Sequence, residues 1–132
     1  MKVTADTNVL VRAIMGDDAQ QSKIAQSELA KAELVALALP TLCELVWVLA
    51  QGYKIPSTGI AEAIRRLINS ANVAVNRPAA EAGLDVLEAG GDFADGVIAH
   101  EGRWLGAEVF ISFDKKAVKL IKAKGGAARA LS

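Results

Sequence analysis

The chain has 132 residues, 52% of them hydrophobic: the length of one domain, residues 1–132, with apolar residues enough for a continuous core. Fifteen basic and fifteen acidic residues cancel to a formal net charge of zero, so no global positive field marks a nucleic-acid partner and any such contact must be local. The single cysteine, Cys43, excludes an internal disulfide, and the N-terminus lacks the basic stretch, apolar run and cleavage site of a secretory signal, which makes the cytoplasm the expected compartment.

Lys2 to Ala5 reads as a first strand, followed by a helix from Thr7 to Met15, a turn at Gly16-Asp17-Asp18 and a more polar helix to Lys31. Leu34 to Leu39 reads as a buried strand and Thr41 to Gln51 as a helix ended by Gly52 and Pro56. Leu34 to Ala50 is apolar apart from Pro40, Thr41 and Glu44, but these residues break it into pieces too short to span about 30 Å of hydrocarbon. No membrane segment is expected. From Thr58 to Ala71, Ile60, Ile64, Leu67 and Ile68 share one helical face.

Asn72 to Val75 forms a short third strand, and Pro78 opens a helix that Gly90-Gly91 stops. Asp92 to Gly106 is a helix, Glu108 to Phe113 a strand, and Lys115 to Lys124 a last helix closed by Gly125-Gly126. The small residues beyond are expected to be poorly ordered or to add an edge strand. Strands alternating with helices predict an α/β fold in which helices cover a parallel sheet.

Ligands of open parallel sheets bind beyond the carboxyl ends of the strands, and four such places carry acids. Asp6 follows the first strand, Glu44 lies one turn into the helix after the second, Asp92 and Asp95 open the helix after Gly90-Gly91, and Asp114 follows the strand ending at Phe113. Each also has an ordinary structural reading. Asp6, Asp92 and Asp114 sit where helix N-caps are wanted, Asp95 complements a helix dipole, and Thr41-Leu42-Cys43-Glu44 fits a capping box.

If Asp6, Glu44, Asp95 and Asp114 project from one sheet edge, charges about 5 Å apart repel by roughly 3 kcal/mol per pair at an effective dielectric near 20. That repulsion is a large share of a small domain's stability, so protons or a hard divalent cation must offset it. Oxygen-only ligands favour Mg²⁺ or Mn²⁺ over zinc, for which the chain offers one Cys and one His. A carboxylate-held Mg²⁺ suits phosphodiester hydrolysis. His100, about 140° around the helix from Asp95, is a poor partner for that cluster, and there is no G-x-S-x-G elbow or C-x-x-C pair.

The chain resembles the PIN-domain ribonucleases, and among them the VapC toxins of prokaryotic toxin–antitoxin pairs. The residues that carry the resemblance are Ala5-Asp6-Thr7-Asn8-Val9-Leu10, Pro40-Thr41-Leu42-Cys43-Glu44, Asp92-Phe93-Ala94-Asp95-Gly96-Val97-Ile98-Ala99 and Ser112-Phe113-Asp114, spread over nearly the whole chain. It implies a three-layer α/β/α sandwich around a mainly parallel sheet, Mg²⁺-dependent endonucleolytic cleavage of RNA, homodimerisation, and neutralisation by a cognate VapB-like antitoxin. Residue by residue, it makes Asp6, Glu44, Asp95 and Asp114 the catalytic and metal-binding acids, with Asp6 and Asp95 as direct ligands and Asp92 as an auxiliary acid. It gives Asn8 and Ser112 the role of orienting ligands and water. Gly96 departs from the pattern, where relatives often carry Ala.

Candidate RNA contacts are Arg12, the pair Arg65 and Arg66, and the row Lys115, Lys116, Lys119, Lys122 and Lys124, which also reads as the solvated face of a helix. Two other phosphate chemistries fit less well. A haloacid-dehalogenase-type phosphatase wants a second Asp where Asn8 stands, and a receiver domain wants an Asp where the chain reads Val75-Asn76-Arg77. A catalytically inactive PIN-like binding module would be expected to lack at least one of the four acids.

Overall fold

Short apolar runs and helical periodicities resolve into parallel strands joined by helices. The computed structural model describes residues 1–132, and the chain packs as two units, 1–76 and 77–132. Every strand pair in it is parallel, in an α/β fold of the sandwich class with seven α-helices.

In the first unit β1 (Lys2–Thr4), β2 (Leu34–Leu37) and β3 (Val73–Val75) form a sheet in that order, with Val3, Val35 and Val73 in one row across it. Parallel neighbours need crossover connections. Helices α1 (Thr7–Met15) and α2 (Ala19–Lys31) supply the first, and α3 (Leu39–Trp47) with α4 (Ser57–Ile68) the second. Leu10, Val35, Leu42, Leu45, Leu49, Ile60 and Ile64 are fully buried, each contributing about 1.5–3 kcal/mol by leaving water. Asn72 fastens the start of β3 to the end of α2, its side-chain amide donating to the carbonyls of Leu29 (2.8 Å) and Ala32 (3.0 Å).

The strand expected to reach Leu39 stops at Leu37, and α3 begins two residues earlier than expected. Pro40 explains the shift: in a helix's first turn its missing N–H leaves no bond unmade, and its fixed φ is already helical. A π-helical turn, Val48–Gly52, follows α3 directly, and Lys54 is the only non-glycine residue with positive φ, at 57°.

In the second unit α5 (Arg77–Glu88) and α6 (Phe93–Trp104) form a helical hairpin, and β4 (Phe110–Ser112), α7 (Lys115–Ala123) and β5 (Ala128–Ala130) form a βαβ element. The residues after Gly126 thus take the edge-strand option. Gly83 and Gly96 let α5 and α6 meet backbone to backbone: a Cβ on Gly96 would run into the Ala82 carbonyl, and one on Gly83 would stand 2.7 Å from the Phe93 ring. The Gly96 departure is therefore a packing requirement of this hairpin. A cavity of ≈ 510 Å³ lined in part by Val86, Ile98, His100, Arg103 and Phe110 lies within the unit. No helix is long and apolar enough to cross a membrane.

Candidate functional site

Asp6 leaves β1 in extended conformation and caps α1, its Oδ1 accepting from the Thr7 N–H at 2.8 Å. The Thr7 side chain, 7% exposed, donates its hydroxyl to Glu44 Oε1 at 2.5 Å. One residue therefore ties two of the candidate acids together, Asp6 through its amide and Glu44 through its hydroxyl. The capping-box reading of Glu44 is corrected by this geometry. Because α3 starts at Leu39, Thr41 falls within its first turn; the cap position is Ala38, with no side-chain cap bond. Glu44 instead accepts from Thr7 at the start of α1. Asp6 and Asn8 are exposed beside it.

The second unit gathers three acids in the same way. Asp92 caps α6 by accepting from the Ala94 N–H (3.1 Å), and Asp114 caps α7 by accepting from the Ala117 N–H (3.1 Å). Asp95 occupies the first turn of α6 and is half-buried. Burial lifts its carboxyl above the ordinary aspartate range, and the Asp92 and Asp114 carboxylates push it further the same way. Ser112 accepts the Asp114 N–H on its hydroxyl at 2.9 Å, so it orients the backbone that presents this acid.

None of the chain's ion pairs involves Asp6, Glu44, Asp92, Asp95 or Asp114. Three of these acids are close enough to raise the pKa of one, with no basic partner, and that is the electrostatic condition a cation relieves. The donors are all oxygen, so the set fits a hard divalent ion. No group of three or more His, Cys, Asp or Glu side chains is drawn together closely enough to hold a metal ion.

The candidate RNA-contacting cations divide. Arg12 pairs with Asp17 at 3.2 Å and Arg66 with Glu62 at 2.7 Å, whereas Lys115, Lys116, Lys119, Lys122 and Lys124 are all exposed along and just beyond α7. His100 lines the cavity of the second unit. Two residues that matter here do not stand out in the sequence. Thr7 directly follows an acid at a helix start, which is the signal that could have found it, and Gly83 sits opposite Gly96 only once the hairpin is formed.

The family model of the PIN domain matches residues 3–123. No curated protein matches the chain.

Proposed function

The chain belongs to the PIN-domain family, a fold that generally serves metal-dependent nucleases, and from that premise we propose that it is a Mg²⁺- or Mn²⁺-dependent endoribonuclease acting as the toxin of a VapC–VapB-like pair. The observation that carries the nuclease reading is Asp95: a half-buried carboxylate whose pKa is raised by burial and by two neighbouring acids, with no basic partner beside it. The full chemical set is Asp6, Glu44, Asp95 and Asp114, with Asp92 auxiliary and Asn8 and Ser112 orienting.

When bound, a divalent ion acidifies a water and offsets charge on a phosphodiester. The protein's part is to hold carboxylate oxygens ready for it. Thr7 fixes Asp6 and Glu44 by hydrogen bonds that leave the second oxygen of each carboxylate unused by Thr7. The caps of α6 and α7 likewise engage only one oxygen each of Asp92 and Asp114. The charged form of Asp95 is disfavoured by its partial burial and by the Asp92 and Asp114 carboxylates, a cost that a bound cation would relieve.

A homodimer and a cytoplasmic location complete the proposal, both by resemblance to VapC toxins. Purified protein freed of any antitoxin should cut unstructured RNA in Mg²⁺ or Mn²⁺ and be silenced by EDTA. Cleavage that survives chelation and dialysis would overturn the metal-dependent reading. For the toxin role, induced expression should arrest growth and co-expression of the neighbouring short reading frame should relieve it; growth unaffected by an active nuclease would instead favour a maturation enzyme.

A further inference from the structure

Helix α3 and the turn after it bury Leu42, Leu45, Val46 and Leu49, yet the largest side chain of α3, Trp47, is 65% exposed. Trp47 follows Glu44 by three residues, so the two share a helical face and are neighbours on it. Pro40, Glu44, Trp47 and Gln51 are all exposed. An indole in water is a cost that a folded protein ordinarily avoids by burial.

Its surroundings distinguish the possible occupants. A second protein copy needs an apolar patch, since the buried centre of a stable interface is richer in apolar area than ordinary surface. The only other large apolar side chains exposed in the first unit are Met1 and Ile24, and Trp47 is the only exposed large apolar side chain of α3. A nucleic-acid base needs only one aromatic face, and stacking holds a strand whatever its sequence. The electrostatics point the same way: net charge is zero, the candidate cations Arg12 and Arg66 are engaged with Asp17 and Glu62, and the Glu44 carboxylate on the same face repels phosphates. A neutral stacking surface on that face supplies attraction that the Glu44 carboxylate does not oppose.

We propose that Trp47 is a stacking platform for one base of a single-stranded RNA substrate, one helical turn from Glu44, and so a substrate-binding residue. The inference rests on the ribonuclease reading for the identity of the strand. The backbone after Trp47 widens into the π-helical turn Val48–Gly52, an irregularity frequent at functional sites.

The test uses two readouts. In Trp104→Phe protein the only indole is Trp47, and titration with a short oligouridine in EDTA should quench its fluorescence to saturation without cleavage. In Mg²⁺ with the same RNA, Trp47→Ala should raise KM about tenfold with kcat little changed, and Trp47→Phe should recover most of the loss. Absence of quenching overturns the platform, as does a Trp47→Ala enzyme with the wild-type KM. A Trp47 found shielded from acrylamide in a dimer detected by sedimentation, and released by dilution, would assign the indole to a protein interface instead. If the wild type cuts no RNA at all, the nuclease reading fails while quenching still decides whether the indole receives a base.

Discussion

The Thr7 hydroxyl donates to the Glu44 carboxylate across 37 positions of sequence, joining the first turn of α1 to the exposed face of α3. Glu44→Gln keeps an acceptor for Thr7 and removes the charge, so its melting temperature in EDTA should stay close to wild type while cleavage falls. Thr7→Val removes the donor and should cost about 1 kcal/mol, the net worth of an ordinary hydrogen bond. A Glu44→Gln protein with full nuclease activity would reduce Glu44 to a structural tie.

Asp95 and Asp92 should separate by pH. The folded-state pKa of Asp95 is raised, so its charged form costs stability above that pKa, and the cost vanishes below the unfolded value of about 3.9. In EDTA, Asp95→Asn should therefore unfold at higher denaturant than wild type at pH 7 and at the same denaturant near pH 3. Asp92→Asn keeps a competent N-cap and should change stability little. Cleavage should be nearly lost in Asp95→Asn and only reduced in Asp92→Asn; the opposite ranking would mean that the ligand is Asp92.

Much of this arrangement is legible in the order of the amino acids. The alternation of apolar runs and helical faces is enough for the α/β class, and Asp6, Asp92 and Asp114 can be placed at strand ends and helix starts because caps are local. Glu44 is ambiguous because S/T-x-x-E reads as a capping box wherever a helix could begin at Thr41, and only the earlier start imposed by Pro40 removes that option. Thr7 and Gly83 are hidden for another reason. Each acts on a residue 13 to 37 positions away, through tertiary packing that periodicity does not encode.

Gly96 offers a test in which helix propensity and packing oppose one another. Propensity alone makes Gly96→Ala stabilising by about 1 kcal/mol. The close approach of α5 makes it an overpacking substitution, costing about 1–3 kcal/mol net of that gain. Urea denaturation should show a lower midpoint; an unchanged or higher one would mean that the hairpin relaxes at no cost.

Tyr53 and Asp17 form a second tie, the phenol donating to Asp17 Oδ2 at 2.8 Å while Arg12 engages Oδ1. The Tyr53 hydrogen bond lowers the Asp17 pKa and raises that of Tyr53. Its contribution is present above the unfolded aspartate value of about 3.9 and is lost as pH falls through the folded one; on the alkaline side it is lost as pH rises past about 10. Tyr53→Phe should lower the melting temperature slightly at pH 7 and by less at pH 3. An equal decrease at both would assign the effect to packing of the ring.

The central claim, that Asp6 and Asp95 are each needed for metal-dependent RNA hydrolysis, is tested most directly by single-turnover cleavage of RNA in Mg²⁺ by Asp6→Asn, Asp95→Asn and the double variant, each checked for folding by circular dichroism. Groups that act as a unit are not additive, so each single change should slow cleavage by about a hundredfold or more, with the double variant little slower than either. A double variant slowed by the product of two modest single effects, or an Asp95→Asn protein that still cuts RNA at the wild-type rate, would contradict it.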